Sequence, residues 1–228
     1  MKTLRLILGD QLNTSHSWFA KPDENHVYFM AEMRQETDYV THHIQKIVGF
    51  FAAMRSFSDA LSAQGHKVVY LNLDHPDNTQ ELETNLLAQI SKHGIGHFEY
   101  LEPDEFRLEA QLKNICTALD ITSKCEDTEH FYTTKKELEF FFEGKKQMIM
   151  ESFYRSMRKK HQVLMVADKP EGNKWNFDQD NRKKWKGTPS IPPIADCSNE
   201  VGYLVQLLKK EGVNSIGNLQ ENTLHWPI

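Results

Sequence analysis

The first residues whose types could do chemistry follow a short apolar run, residues 4–8, near the start of the chain. That run predicts a buried strand, and Gly9 and Asp10 predict the turn that ends it. Ligands of open parallel sheets bind beyond the carboxyl ends of strands. Gly9 would let a ligand approach the backbone closely, and Asp10 and Gln11 would offer polar contacts. The same residues also suit an ordinary turn, so both interpretations stay open.

A second group of polar and aromatic side chains follows the next apolar run, residues 27–31. Glu32 and Glu36 can accept hydrogen bonds from a ring N–H or a sugar hydroxyl, and Tyr39 can add a hydroxyl or a stacking face. Carboxylates are also favoured near the start of a helix, which gives the two glutamates a purely structural alternative. The pattern alone does not decide between the two roles.

Other catalytic and metal patterns receive little support. The adjacent residues His42 and His43 would point about 100° apart on a helix, so one ion would rarely use both. Cys116, Cys125 and Cys197 are widely spaced and form no CxxC pair, which indicates free thiols in a reducing compartment. The sequence has no GxGxxG, GxxxxGK(S/T) or GxSxG motif. We therefore predict no catalytic residue and no metal site in this chain.

A basic and aromatic segment, residues 150–160, is followed by Trp175 and Trp185 among further basic residues. Arginine and lysine interleaved with aromatic side chains suit a nucleic-acid surface. They equally suit a contact between domains, in which arginines form salt bridges and aromatic rings pack. We favour the contact between domains because the chain carries 27 Lys and Arg against 32 Asp and Glu, a net charge of −5.

The elements that must position these residues alternate between two hydrophobic periods. Short apolar runs predict the first four strands, residues 121–125 are added as a possible fifth, and amphipathic segments with three- and four-residue spacing predict helices between them. The predicted strands cover residues 4–8, 27–31, 67–71, 97–101 and 121–125, and the helices cover 37–64, 78–92, 103–119, 135–142, 148–160 and 199–211. Strands that alternate with helices pair in parallel through right-handed crossovers. We therefore expect a doubly wound α/β fold with a mainly parallel five-stranded sheet, followed by a partly helical linker region.

The composition of the whole chain indicates where the protein is located and whether the chain is part of a longer protein. No stretch reaches the roughly 20 apolar residues that a membrane helix needs, so we expect no membrane partner. The first residues run directly into the apolar strand without a cleavable secretory segment, which together with the free thiols predicts a cytoplasmic location. The apolar ending, residues 225–228, is typical of an interrupted chain, so we expect a longer protein.

Several of these stretches, taken in their order and spacing, resemble one family. Segments 6–12, 36–57, 150–158 and 175–182 carry the resemblance, with Glu36, Tyr39 and Lys46 in the second of them. The family is the photolyase-related proteins, which include prokaryotic (6-4) photolyases of the iron–sulfur type and related bacterial cryptochromes. The similar stretch spans most of residues 3–185.

The resemblance implies a division of labour between domains. Residues 1–165 would form a Rossmann-like domain that holds an antenna chromophore, 6,7-dimethyl-8-ribityllumazine, and residues 166–228 would form a connector. The connector would lead to a C-terminal domain with FAD, a 4Fe–4S cluster and the lesion site, which this chain lacks. The implied partners are that domain and, for the whole protein, damaged DNA. The three cysteines of this chain are not expected to be cluster ligands.

Carried over position by position, the resemblance implies a chromophore pocket at the exits of the first two strands. Phe50, on the long helix, would approach the ring. Members of the family can carry a smaller aliphatic residue there, so the phenyl ring is expected to narrow the pocket. The implied pocket residues are Gly9, Asp10, Gln11, Leu12, Glu32, Met33, Glu36, Tyr39 and Phe50.

We therefore expect the antenna-chromophore-binding domain of a (6-4) photolyase-related DNA repair protein or bacterial cryptochrome, which passes light energy to FAD. The lyase activity would belong to the whole protein, and we do not expect the chain alone to be active. Two alternatives stay open. One is a stand-alone small-molecule enzyme with a catalytic group in the cleft near Asp10 and Glu36. The other is a non-enzymatic module whose basic and aromatic helix binds another protein or DNA.

Overall fold

The computed structural model describes the backbone of residues 1–228 and every side chain except those at positions 180 and 181, which fall in the segment 175–182 quoted above. Packing divides the chain into two units. We call Met1–Thr128 together with Asp196–Ile228 the sheet unit, and Glu129–Ala195 the inserted unit. The sequence predicts a chromophore-binding domain over residues 1–165 and a connector over residues 166–228. This division by function stays a prediction.

The sheet unit contains the five predicted strands and the helices between them, with ends shifted by a few residues. Its first part consists of β1 Thr3–Leu6, β2 His26–Ala31, α1 Arg34–Asp38, β3 His42–His43, α2 Ile44–Ala63, β4 Val68–Leu71, α3 Leu82–His93, β5 His97–Leu101, α4 Phe106–Ala118 and β6 Thr122–Glu126.

β1 lies at the centre of a sheet with the strand order β4–β2–β1–β5–β6. All neighbouring strands in it run parallel, and Thr3 of β1 is opposite His26 of β2 on one side and His97 of β5 on the other. The chain builds outward from β1 in one direction and then in the other, so the strand order reverses beside β1. Such a reversal leaves a crevice at the carboxyl ends of the strands. The predicted doubly wound, Rossmann-like α/β fold is confirmed.

The core consists of two hydrophobic clusters, one on each face of the sheet. Successive strand residues point to opposite faces, so Tyr28 and Met30 belong to one cluster while Val27 and Phe29 belong to the other. Side chains of α2 cover the first face, and side chains of α3 and α4 cover the second. Burial on both faces explains why the central strands β1 and β2 read as apolar runs rather than as alternating patterns, whereas the edge strand β6 is polar and mostly exposed.

The predicted single helix over residues 37–64 is wrong. The chain forms the five-residue α1, then β3, and begins α2 only at Ile44. Two contacts account for the interruption. The imidazole of His43 accepts a hydrogen bond from the backbone N–H of Gln45 and caps α2. β3 also pairs in parallel with a strand near the end of the chain, where Ser215 is opposite His42. Neither contact changes the three- and four-residue apolar spacing on which the prediction rested.

The inserted unit is helical but buries few side chains. It contains α5 Lys135–Phe142, α6 Met150–His161, β7 Met165–Val166, β8 Lys169–Pro170 and α7 Asp178–Asn181. Among its described residues only Arg158 and Pro170 are buried. The guanidinium of Arg158 donates hydrogen bonds to the backbone carbonyls of Val163 and Leu164 and lies 5.2 Å from the ring centre of Trp175.

The chain then returns to the sheet unit. Its last elements are β9 Asn199–Glu200, α8 Gly202–Lys210, β10 Ser215–Ile216 and β11 Thr223–Leu224. α8 corresponds to the predicted helix over residues 199–211, and its buried residues Leu204, Val205 and Leu208 join the cluster that α2 covers. Within the described residues, no helix combines the length and apolar character that crossing a membrane requires.

Candidate functional site

A cavity of about 210 Å³ opens at the carboxyl ends of β1 and β2, beside the reversal of strand order. Its wall is formed by the chain segments that follow these two strands, by α1, by the first half of α2 and by the start of α4. Six of the nine predicted site residues line it: Gly9, Asp10, Met33, Glu36, Tyr39 and Phe50. The structure therefore brings the two predicted strand exits together.

The interior of the cavity is apolar. Aliphatic, aromatic and thioether side chains from the sheet and the surrounding helices form it: Leu6, Ile7, Leu8, Phe29, Ala31, Met33, Ile47, Phe51, Met54, Leu82 and Leu108. An apolar slot with a few polar groups at one end is typical of sites that bind flat organic molecules. The polar groups of the wall come from residues 10, 36, 37, 39, 42, 46, 105 and 107.

Gly9 and Phe50 set the width of the slot. A Cβ atom at Gly9 would lie 2.9 Å from Sδ of Met54 and 3.2 Å from Cδ1 of Phe50, so α2 approaches the strand exit closely. Only glycine fits this approach without displacing a neighbour. The phenyl ring of Phe50 is 40% exposed and lines the cavity. Phe50 thus lies in the cavity wall, and the expected narrowing of a chromophore pocket by its ring stays a prediction.

Glu36 is held in the cavity wall by Arg107. The guanidinium donates from Nη2 to Oε2 of Glu36 at 2.8 Å and from Nη1 to Oε1 at 3.3 Å, and it also lies 3.1 Å from the carboxylate of Glu105. The hydrogen bonds to Glu36 raise the pKa of Arg107 above its ordinary value, against the opposing effect of burial. The same guanidinium lies 4.7 Å from the ring centre of Tyr39. Arg107 thus fixes both an acceptor and an aromatic face.

His42 and Lys46 complete the polar part of the wall. Nζ of Lys46 lies 3.2 Å from Nδ1 of His42, and the imidazole packs edge-on against Tyr39 with ring centres 5.1 Å apart. Burial and the charge of Lys46 lower the pKa of His42 below its ordinary value. A neutral imidazole can accept a hydrogen bond from the ammonium group at this distance.

Comparison with known proteins assigns the chain to a family. The family model for deoxyribodipyrimidine photo-lyase-related protein matches residues 5–224. The chain belongs to this family. A (6-4) photolyase of Agrobacterium fabrum (strain C58) is 33% identical over 220 residues, which are 96% of this chain and 42% of that protein. The uncharacterized protein R852 of Acanthamoeba polyphaga mimivirus is 26% identical over 192 residues, 80% of this chain and 95% of that protein. The chain thus spans less than half of the first relative and nearly all of the second.

In this photolyase-related chain, two predicted site residues from the exit of β1 lie outside the described cavity wall. Gln11 is buried; its Oε1 accepts from the backbone N–H of Leu8 at 3.0 Å, and its Nε2 donates to the carbonyl of Leu101 at 3.2 Å. Leu12 is partly buried against the core cluster under α2. Gln11 therefore ties the end of β1 to the end of β5, and a ligand contact by either residue stays a prediction.

Glu32 also lies outside the described cavity wall, although it follows the same strand as Glu36. Its carboxylate is fully buried and accepts four hydrogen bonds from the protein: two from Arg55 at 2.6 and 2.9 Å, and one each from the hydroxyl of Tyr70 and the backbone N–H of Leu73, both at 2.8 Å. Burial and the neighbouring carboxylate raise the pKa of Tyr70. A carboxylate that accepts four hydrogen bonds from the protein has few lone pairs left to accept one from a ligand. A ligand contact by Glu32 stays a prediction.

Arg107, Glu105, Thr37 and Lys46 in the wall were not among the predicted site residues. Arg107 is 71 positions from Glu36 in sequence, and a single arginine at the start of an amphipathic helix carries no local signal of a cavity. His42 was considered only as a metal ligand. Among the described residues, no three His, Cys, Asp or Glu side chains are grouped to hold one ion. The wall residues instead offer hydrogen-bond acceptors, aromatic faces and cationic groups around an apolar slot.

Proposed function

We propose that this photolyase-related chain binds a flat heteroaromatic antenna chromophore in the cavity beside β1, with 6,7-dimethyl-8-ribityllumazine as the candidate. The observation that carries the proposal is the convergence of Gly9, Glu36, Tyr39 and Phe50 on one apolar cavity at the switch point of the sheet. In doubly wound folds this is the place where ring-containing ligands bind.

The cavity supports ring binding through both size and polarity. Its volume of about 210 Å³ is smaller than the roughly 300–1,000 Å³ of typical drug-sized pockets, so it suits a ring system whose polar tail reaches the opening. The carboxylate of Glu36 can accept hydrogen bonds from ring N–H or ribityl hydroxyl groups, and Tyr39 adds an aromatic face. An antenna requires binding and orientation only, so the wall needs no catalytic group.

For the whole protein we propose that the bound chromophore passes excitation energy to FAD in a further domain, which would also hold the 4Fe–4S cluster and the DNA lesion. The support is the family match and the 33% identity to a (6-4) photolyase, of which this chain covers 42%. Repair of (6-4) photoproducts would then be an activity of the longer protein, with its C-terminal domain and damaged DNA as partners.

The test is equilibrium titration of the chain with 6,7-dimethyl-8-ribityllumazine, followed by visible absorption after desalting. We expect one retained equivalent per chain. Glu36→Gln removes the charge of the carboxylate while keeping its shape, and should weaken binding roughly tenfold because hydrogen bonds to charged groups contribute about 1.5–3 kcal/mol. Glu83→Gln, on the exposed face of α3, is the matched control and should bind as the wild type does. Equal affinities of Glu36→Gln and the wild type would remove Glu36 from the site.

A second candidate function rests on the uneven distribution of charge. Residues 129–195 contain 14 Lys and Arg against nine Asp and Glu, whereas the rest of the chain contains 13 against 23. The inserted unit also exposes aromatic residues, among them Phe131, Tyr132, Phe140 and Trp185. Exposed rings among basic residues are typical of surfaces that bind nucleic acid.

Oligonucleotide affinity measured at several salt concentrations tests this second candidate. Phosphate contacts predict a linear fall of log affinity with log salt, and removing three lysines should reduce the slope by roughly two to three. The variant is Lys159→Gln with Lys184→Gln and Lys186→Gln, and the control replaces Lys2, Lys21 and Lys113 of the sheet unit. Equal slopes for the variant, the control and the wild type would refute a nucleic-acid surface on the inserted unit.

A further inference from the structure

One part of the cavity wall is a short segment that lies outside the five-stranded sheet. α1 and β3, with the residues between them, contribute four wall residues: Glu36, Thr37, Tyr39 and His42. α1 has five residues and β3 has two, too few to keep their place by their own hydrogen bonds. Among the described strands, β3 pairs with β10 alone. The shape of this part of the wall therefore depends on contacts with other elements.

Those contacts come from the last part of the sheet unit, Asp196–Ile228, which we call the return segment. Its strand β10 pairs with β3, so that Ser215 is opposite His42. Nη2 of Arg34, in α1, donates a hydrogen bond to the carbonyl of Gly212, just after α8, at 3.3 Å. α8 packs against α2, whose first half lines the cavity. The return segment thus contacts α1, β3 and α2, three of the elements that surround the cavity.

One of these contacts, between Gly217 of the return segment and His43 of β3, leaves no room for a side chain. Gly217 has a φ of +75°, and a Cβ atom there would lie 2.6 Å from Cε1 of His43 and closer still to Nε2 and Cδ2. Position 217 therefore requires glycine for its backbone and for the approach of the imidazole. Nδ1 of the same imidazole accepts a hydrogen bond from the backbone N–H of Gln45 at 3.2 Å and caps α2.

The position of His43 matters to the cavity because the next residue towards α1, His42, lies in the wall. The ring of His42 packs edge-on against Tyr39, with ring centres 5.1 Å apart, and its Nδ1 lies 3.2 Å from Nζ of Lys46. A shift of β3 away from Gly217 would therefore move His42 and disturb its contacts with two further wall residues.

We infer that the return segment holds the chromophore cavity in its binding shape, and that Gly217 is a positioning residue for the ligand although it lies outside the described wall. The inference rests on the proposed function, since it concerns the same cavity. It makes two events interdependent: docking of the return segment favours chromophore binding, and a bound chromophore favours docking of the return segment to the same extent.

The experiment compares two glycine variants by titration with 6,7-dimethyl-8-ribityllumazine and by urea denaturation. Gly217→Ala places a methyl group where the imidazole of His43 lies, so the affinity should fall about tenfold. Gly94→Ala, at the end of α3, is the matched control. Gly94 also has a positive φ, +60°, but no atom lies within 4 Å of its Cβ position. This variant should lose stability through backbone strain and still bind the chromophore as the wild type does.

Two further measurements separate positioning from general destabilisation. His43→Asn keeps a side chain that can cap α2 and leaves room for the methyl group, so Gly217→Ala with His43→Asn should bind within about twofold of His43→Asn alone. In the wild type, saturating chromophore should slow amide hydrogen exchange in residues 213–217 about fivefold or more, and should leave exchange in α6 of the inserted unit unchanged.

The outcomes separate the inference from the proposed function. If the wild type binds the chromophore and Gly217→Ala binds it equally well, the inference is wrong and the chromophore site stands. Equal losses of affinity in Gly217→Ala and Gly94→Ala, no recovery in the double variant, or unchanged exchange in residues 213–217 would also refute it. If Gly217→Ala does not fold, the exchange measurement decides. If the wild type binds no chromophore, the proposed function and the inference both fail.

Discussion

Glu32 and Glu36 follow β2 and are four residues apart. Each carboxylate pairs with an arginine, but the two pairs lie in different environments. Glu32 is fully buried and pairs with Arg55, while Glu36 is 34% exposed and pairs with Arg107, itself 36% exposed. The carboxylate of Glu32 accepts hydrogen bonds from three residues, whereas that of Glu36 accepts hydrogen bonds from Arg107 and from the side-chain amide of Gln35 and borders a cavity. The residue types are the same. Burial and the number of protein donors decide which pair stabilises the fold and which can serve a ligand.

Removing the buried carboxylate should have the largest effect on stability. Glu32→Ala leaves the guanidinium of Arg55, the hydroxyl of Tyr70 and the backbone N–H of Leu73 without their acceptor. Breaking a buried pair from one side costs about 3–5 kcal/mol, and the partial exposure of Arg55 places the expected loss near the lower end. Urea denaturation measures it. A loss below about 1 kcal/mol would contradict the structural role of Glu32.

Filling the close approach at Gly9 should have an intermediate effect. The new methyl group of Gly9→Ala would lie 2.9 Å from Sδ of Met54, the flexible end of a side chain that can shift. Overpacking of this kind costs about 1–3 kcal/mol, so we expect about 1 kcal/mol by denaturation together with weaker chromophore binding. Gly9→Ala with Met54→Ala should restore part of the binding. No recovery in the double variant would show that the contact of the new methyl group with Met54 is not what weakens binding.

Removing the half-exposed carboxylate should barely change stability. Glu36→Ala breaks a pair that solvent screens, for which about 0.2–1 kcal/mol is typical, although the same variant should weaken chromophore binding clearly. Comparing its unfolding free energy with that of Glu32→Ala tests the contrast between the two pairs directly. Similar losses for the two variants would mean that the environments do not differ in the way the geometry indicates.

The smallest effect concerns the pH dependence of stability. The pKa of His42 is lowered in the folded state, so the unfolded chain binds a proton more readily below about pH 6.5, the ordinary histidine value. The contribution of neutral His42 is fully present above that pH and is lost as the pH falls towards the lowered folded-state pKa. His42→Gln should therefore flatten the decline of unfolding free energy below about pH 6.5. His26 and His93, whose pKa values are also lowered, remain in the variant. An unchanged decline would exclude His42 as a source.

The sequence was sufficient for the sheet and for the place of the cavity, because apolar runs and helical spacing are local patterns. It could not separate Glu32 from Glu36, since the distinction depends on pairing. The backbone N–H of Glu32 donates a hydrogen bond to the carbonyl of Leu71 in β4, so Glu32 continues the strand pairing of β2. The side chain of Glu32 lies beside Arg55 and not in the cavity wall. Arg107 and the break between α1 and α2 were missed for a related reason. Arg107, on α4, reaches the cavity through its contact with Glu36, which is distant in sequence. The break between α1 and α2 depends on the pairing of β3 with β10 near the end of the chain.

The most direct test of the central claim is chromophore retention by two forms of the chain, the wild type and Phe50→Val. After incubation with 6,7-dimethyl-8-ribityllumazine and desalting, visible absorption gives the number of retained equivalents. Ring binding beside Gly9 and Glu36 predicts one equivalent on the wild type and equal or tighter binding to Phe50→Val, whose slot is wider. No retained chromophore on either form would contradict the claim that this cavity is the chromophore site.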